Sequence, residues 1–399
     1  MWTGRSDDPC GSIIENSLAF VRGHLDMEVA YLSEFVCDDL VFRAVDAPGF
    51  EDRIAVGGSM PLDQVYCRHV ISGRLPELIP DTNDEPFTQQ IPLTKSLPIR
   101  SHVSVPIRKS DGSVYGMFCC LSREPRPSLN NRDLGVLRAF ANISAEQVNS
   151  RLVRQMDYDA KRREIEKVNE ENAFRIALQP IKSLDTQQLR GYEALCRFTA
   201  EPHRPPNQWF EQAARVGMQL PLELKAIEKA FGLLPDIPGN TYLSVNASPL
   251  TLISRDLLNL IPREYGHRIK VEVTEHNELG DLDAVLMQID RLRDLGVRIA
   301  VDDAGAGYSG LQQIIKIKPD MIKLDISLTQ GVDRDIARRS LVAAMVQFSR
   351  DTGANLVAEG IETKAEMDTL CQIGVSLGQG YYLGRPAMSD RVLLLPKSA

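Results

Sequence analysis

Arg298-Ile299-Ala300-Val301-Asp302-Asp303-Ala304-Gly305-Ala306-Gly307-Tyr308-Ser309 decides the fold of the second half of the chain. A short apolar run reads as a buried strand, two carboxylates stand at its end, and a glycine-rich turn follows. The same grammar recurs on both sides. Strand signals lie at Arg175–Gln179, Leu189–Leu195, Tyr242–Asn246, Ile269–Val273, Met321–Asp325, Asn355–Glu359 and Gln379–Leu383, and helical patterns such as Asp281–Asp294 and Asp333–Thr352 fill the later gaps. Eight strands alternating with helices over 174–399 predict a (β/α)8 TIM-type barrel. One gap departs from that scheme. Only Pro180–Gln188 separates the first two strands, whereas a parallel crossover needs roughly a dozen residues or more. The pair is therefore expected to be an antiparallel hairpin, and the barrel irregular, with one antiparallel strand.

The polar residues at the strand ends form a series: Gln179, Glu193, Asn246, Glu272, Asp302 with Asp303, Lys323, Glu359 and Gln379. Barrel enzymes place their chemistry where strand ends meet loops. Five carboxylates on one rim repel one another unless cations offset them. Oxygen ligands of this kind suit Mg²⁺ or Mn²⁺, not zinc held by Cys and His. Two such ions could share the set, with Asp302-Asp303 as the bridge, and a two-metal site activates water for in-line displacement at phosphorus. For any single acid, capping or exposure is an equal alternative. The series as a whole argues against it.

Upstream, about Gly11–Asn149 alternates helix and strand: helix over Ser12–Tyr31, strand character over Tyr31–Ala44, strands at Ser101–Ile107 and Val114–Leu121, and the hairpin turn Asp111-Gly112 between the last two. This predicts an α+β sheet domain. Leu134–Asn172 reads as one long helix whose second half is rich in charge, a connector between domains; its apolar stripe either pairs with a second copy or is simply solvated. The expected division is 11–150, a 151–173 helical linker, and 174–399.

Composition bounds the function. With 43% hydrophobic and 25% charged residues and a net charge of −8, the chain reads as globular and as a poor binder of DNA or RNA backbone. No apolar run reaches the roughly 18 residues of a membrane span, and the N-terminus has no signal-peptide pattern, so a cytoplasmic location is expected. Seven cysteines with no metal-finger spacing read as reduced thiols. Cys67, His69 and His102 read as packing residues.

Two resemblances follow. Tyr66-Cys67-Arg68, Ser104-Val105-Pro106-Ile107, Asp111-Gly112-x-x-Tyr115-Gly116, Cys119-Cys120-Leu121 and Arg132-Asp133-Leu134 resemble a GAF domain, which implies a sensory or dimerising module; no residue declares its ligand. Gln179-Pro180-Ile181, Glu193-Ala194-Leu195-Cys196-Arg197, Ser244-Val245-Asn246, Glu272-Val273-Thr274-Glu275, Asp302-Asp303-x-Gly305-x-Gly307-Tyr308-Ser309, Lys323-Leu324-Asp325, Ala358-Glu359-Gly360-Ile361-Glu362 and Gln379-Gly380-Tyr381 resemble the EAL phosphodiesterase family.

That second resemblance implies hydrolysis of cyclic di-GMP to linear pGpG in a barrel with one reversed strand. By position, Glu193, Asn246, Glu272 and Asp302 would hold one metal, and Asp302, Asp303 and Glu359 the second. Lys323 would orient the attacking water, with Glu359 nearby as a base. Gln179, Arg197 and Gln379 would bind substrate, Glu275 would brace the Asp303–Ser309 loop, and Glu362 would support the site. A homodimer is implied. The loop carries Ala304 and Ala306 where the family has Phe and Thr, which leaves a binding-only receptor as the alternative to an enzyme. No cyclase signature is present.

Overall fold

The structure is a computed structural model that describes residues 9–274, 282–304 and 310–393. The chain divides into two compact units, Met1–Asp157 and Tyr158–Ala399.

The first unit is built on a sheet of six strands: β1 (Val29–Val36), β2 (Asp39–Asp46), β3 (Ser59–Pro61), β4 (Leu78–Ile79), β5 (Ser101–Arg108) and β6 (Val114–Ser122), in the order β3-β2-β1-β6-β5-β4. Every neighbouring pair is antiparallel. Alternation along β6 sends Met117, Cys119 and Leu121 into one apolar layer and Phe118 and Cys120 into the other. The sheet is thus covered on both faces. Helix Pro9–His24 and the start of helix Asn131–Glu170 cover one of them.

Two sequence expectations need correction here. The first helix stops at His24, not near Tyr31, and Tyr31 lies inside β1. The stretch read as one strand, Tyr31–Ala44, is a hairpin turned at Cys37, whose φ of 54° lies in the left-handed region. The sequence supplies no Gly or Asn at that turn to announce it. Cys67 and Cys119 are fully buried thiols 3.6 Å apart, and His102 is buried against the Tyr66 ring, so all three pack the core.

One helix, Asn131–Glu170, runs across the boundary between the two units. Its last turns are not merely solvated. Ile165 and Val168 are buried with Phe174, Trp209, Ala213, Val216 and Leu222, and Glu164 accepts hydrogen bonds from Arg204 and Gln212.

The second unit is a closed barrel. Its strands are β7 (Phe174–Ser183), β8 (Leu189–Phe198), β9 (Tyr242–Asn246), β10 (Ile269–Thr274), β11 (Arg298–Ala304), β12 (Met321–Leu324), β13 (Asn355–Ala358) and β14 (Leu377–Gly378). They pair in chain order, and β14 returns to β7. All pairs from β8 to β14 are parallel, while β7 is antiparallel to both its neighbours. The short first gap therefore produces the reversed strand that the sequence called for. A further strand, β15 (Ala387–Met388), pairs antiparallel with β7 at Ala177 and Leu178, on the same edge that β14 meets at Lys182 and Ser183.

The eighth strand is a third correction. It is Leu377–Gly378, and Gln379–Leu383 is a turn held by Leu383 N and Gly384 N bonding to Gly380 O. Apolar side chains between strands and helices make the main core. Inside the barrel, Ile181, Ala300, Met321 and Val357 form a floor together with Tyr242 and Leu377. Gly191 makes room for that floor, since a Cβ there would stand 2.5 Å from the Tyr242 ring.

Candidate active site

Register lines up the acidic residues. Gln179 pairs with Glu193, Glu193 with Ser244, Asn246 with Glu272, and Asp302 with Thr274. Glu193, Asn246, Glu272 and Asp302 all stand on the inner face of the parallel strands, toward their C-terminal ends, and Glu359 and Gln379 follow directly after β13 and β14.

Lys323 stands among these acids. Its ammonium is 1% exposed and lies 2.6 Å from Glu359 Oε1, 2.7 Å from Glu272 Oε2, 3.2 Å from Asp302 Oδ1 and 3.5 Å from Glu193 Oε2. Burial pulls the proton affinity of the amine down, but the four carboxylates outweigh it and hold Lys323 protonated beyond its usual range.

The acids differ in their supports. Burial resists the charge on Glu193, yet Lys323, Gln379 Nε2 at 2.6 Å and Asn246 Nδ2 at 2.9 Å lower its pKa below the usual carboxylate value. Glu272 is fully buried, and burial raises its pKa well above the ordinary value despite Lys323. Its other oxygen accepts from the Ser244 hydroxyl. Glu359 is pushed up to about 8, chiefly by burial, against the pull of Lys323. Asp303 has a left-handed backbone, φ 57°, and donates its N–H to Asp302 Oδ1 at 3.0 Å. Asp302, Asp303 and Glu359 each offer an oxygen, and these atoms lie within 4.8 Å of one another, close enough to hold one metal ion.

A pocket of about 270 Å³ opens over this cluster, lined among others by Gln179, Glu193, Asp302, Lys323, Glu359, Glu362 and Gln379. Gln179 and Gln379 are joined, the Gln379 amide donating to Gln179 Oε1 at 3.0 Å. The loop carrying Glu359 and Glu362 is fixed by Glu366, whose carboxylate accepts from the N–H groups of Gly331, Glu362 and Thr363. Glu366 also closes a capping box with Thr363 at the start of helix Lys364–Ile373. Arg197 is placed apart. It donates to the Cys196 carbonyl at 2.7 Å and lines an adjoining pocket of about 380 Å³ with Asn246, Pro206, Asn207 and Phe210. Glu275 and the loop segment 305–309 lie outside the described residues.

Ser244 has a place in the site that the sequence did not assign, though a hydroxyl two residues before Asn246 on the same strand face was the available signal. Lys270 is a second such residue. Buried two residues before Glu272, its ammonium stands 3.5 Å from the Tyr242 ring centroid, and burial drops its pKa to about 7.

The sequence profile of the EAL domain matches residues 162–386. The chain belongs to the EAL domain family. The GAF domain profile matches residues 11–148. Among curated relatives, the oxygen sensor protein DosP of Escherichia coli is 30% identical over 236 residues, covering 55% of this chain and 29% of DosP. The probable cyclic di-GMP phosphodiesterase PdeG of the same organism is 28% identical over 221 residues, covering 52% of this chain and 43% of PdeG. The EAL chain thus spans less than half the length of these relatives. Among solved structures, the PaMucR phosphodiesterase in complex with c-di-GMP is 25% identical with a TM-score of 0.53, covering 58% of this chain and 99% of that one. The EAL enzyme Bd1971, with cAMP and cyclic di-GMP bound, shares the fold over 93% of both chains, with a TM-score of 0.58 at 18% identity. Among the described residues no helix is long and apolar enough to cross a membrane.

Proposed function

We propose that the barrel unit is a metal-dependent cyclic di-GMP phosphodiesterase that opens the cyclic dinucleotide to linear pGpG. The observation that carries the reading is Lys323 held between Glu193, Glu272, Asp302 and Glu359, with Asp303 beside them, at the C-terminal end of the barrel strands. The family and the relatives named for this chemistry support the substrate.

The residues fit divalent cations. Four carboxylates share one ammonium with Asp303 beside them, and burial, with repulsion among the acids added to it, raises the proton affinities of Glu272 and Glu359. An all-oxygen donor set of this kind suits Mg²⁺ or Mn²⁺. Glu193, Asn246, Glu272 and Asp302 would hold one ion, and Asp302, Asp303 and Glu359 the other. When bound, the two cations supply polarisation of water and neutralisation of charge at phosphorus.

The protein groups do the rest. Asn246 and Gln379 fix Glu193 from both sides. Lys323 donates to the attacking water and orients it, and Glu359, next to Lys323, takes its proton. Gln179 and Gln379 seat the substrate from the pocket wall. Arg197, swung from its present bond to Cys196, forks to a phosphate. The GAF unit modulates the barrel through helix Asn131–Glu170 in a cytoplasmic homodimer.

Converting Glu193 or Glu359 to Ala should abolish pGpG formation; normal turnover in either variant would refute the site assignment. A receptor reading, binding without cleavage, is favoured by Ala304, which is fully buried at the end of β11 beside the acids it follows. It predicts tight binding and no product at saturating Mn²⁺.

A further inference from the structure

Asn246 is exposed at the end of β9, so packing does not set the place of its side chain. Its Nδ2 donates to Glu193 Oε1 at 2.9 Å, which leaves Oδ1 as the atom free to meet a cation. What aims this amide is the backbone that follows it. Ala247 N donates to Glu272 O at 3.0 Å, across the barrel strands. Ser248 is held from outside the barrel: its N–H and its hydroxyl both donate to Glu223 Oε2, at 3.0 and 2.8 Å. The same hydroxyl accepts from Thr251 N and starts the short helix Pro249–Leu252. Glu223 belongs to helix Gln219–Phe231 and is buried. Its other oxygen accepts from Gln219 Nε2 at 2.9 Å. Among the described residues no lysine or arginine pairs with Glu223. A buried carboxylate without a cation is costly unless its hydrogen bonds are filled, and here two of them hold the chain two residues past Asn246. The helix is a firm base for this duty, because Leu222, next to Glu223, is fully buried with Ile165, Phe174 and Trp209.

We propose that Glu223 is a positioning residue of the metal site: through Ser248 it fixes the turn after β9 and so aims the Asn246 amide at Glu193 and at the cation the two would share. The inference rests on the phosphodiesterase reading for the cation, but not on turnover. Groups that orient a metal ligand from behind are worth roughly 10- to 100-fold in metal affinity. The role needs an acceptor at this place and not a charge. Glutamine can supply it, with its oxygen toward Ser248 and its amide toward a reoriented Gln219.

The test uses the 399-residue chain and the variants Glu223→Ala, Glu223→Gln and Ser248→Ala. Mn²⁺ affinity is measured by paramagnetic-resonance titration at a temperature where circular dichroism shows each variant folded. In EDTA the Asn246 side-chain amide is followed by heteronuclear NMR, its signals assigned by their loss in Asn246→Ala. Glu223→Ala should weaken Mn²⁺ binding roughly 10- to 100-fold and displace the Asn246 amide signals. Glu223→Gln should restore both, and Ser248→Ala, which removes only the hydroxyl, should show a smaller loss in the same direction. If Glu223→Ala does not fold, Ser248→Ala decides by the same two readouts. An unmoved Asn246 amide in Glu223→Ala overturns the role. So does wild-type Mn²⁺ affinity in that variant, the result expected of a cap that only stabilises the fold. A Glu223→Gln protein as impaired as Glu223→Ala also overturns it, since the charge and not the acceptor would then matter. A wild type that binds no Mn²⁺, with the amide displaced in Glu223→Ala and restored in Glu223→Gln, leaves the positioning of Asn246 standing and removes the metal-dependent reading instead.

Discussion

Replacing Glu359 by Gln should make the metal-free protein more stable while destroying its activity. Its carboxyl stands at about 8 instead of 4.5, which at ~1.4 kcal/mol per tenfold change in proton affinity corresponds to about 5 kcal/mol. The side chain keeps 20% exposure, and screening plus relaxation reduce this to about 2–3 kcal/mol. The sign follows from linkage. The folded state binds this proton more tightly than the unfolded chain, so the stabilisation is fully present below pH 4.5 and is lost as pH rises through about 8. Glutamine keeps the shape and carries no charge at any pH, so its advantage over Glu359 should be absent near pH 4.5 and near its maximum above pH 8. The assay is urea unfolding in EDTA at several pH values, followed by the fluorescence of Trp209, buried in the barrel unit, in a Trp2→Phe background. If Glu359→Gln gains nothing over wild type between pH 5 and pH 8, the picture of crowded, under-compensated acids is wrong.

Lys323→Met should cost about 3–5 kcal/mol by leaving buried carboxylates unpaired; chemical denaturation should show the loss growing with pH, and turnover should fall by about 10²–10⁴ or more. Gly191→Ala should cost about 1–3 kcal/mol in thermal unfolding, because its Cβ meets the Tyr242 ring at 2.5 Å; an unchanged melting temperature would contradict the packing. Asp303→Asn should weaken Mn²⁺ binding by roughly tenfold or more in a paramagnetic-resonance titration, whatever it does to turnover. Proline inserted after Glu166 should break helix Asn131–Glu170 at a cost of about 3 kcal/mol and separate barrel activity from any GAF input; unchanged activity and helix content would count against coupling through that helix.

The barrel was legible because its signal is local and repeated. Each strand is a short apolar run closed by a polar residue, and the Pro180–Gln188 gap read between the first two strand signals is too short for a parallel return. The eighth strand was misplaced because it is only two residues long, and the apolar Tyr381-Tyr382-Leu383 after it looks more strand-like than Leu377-Gly378 does. The first unit was harder to read. Its hairpin turns at Cys37, where a non-glycine residue takes a left-handed conformation without announcing it. At the site, strand-end position was enough to nominate Glu193, Asn246, Glu272, Asp302, Lys323 and Glu359, which the fold brings together. Position could not say that Arg197 turns back to Cys196 or that Ser244 holds Glu272. Both depend on side-chain rotamers chosen by neighbours distant in sequence.

Metal-dependent cleavage is tested most directly by incubating the 399-residue protein with cyclic di-GMP, with and without Mn²⁺ or Mg²⁺, and resolving the products by chromatography. Linear pGpG should form only when the cation is present, and none should form with the Glu193→Ala protein. Intact cyclic di-GMP at saturating cation, with binding demonstrated in the same sample, would contradict it and leave the receptor reading in its place.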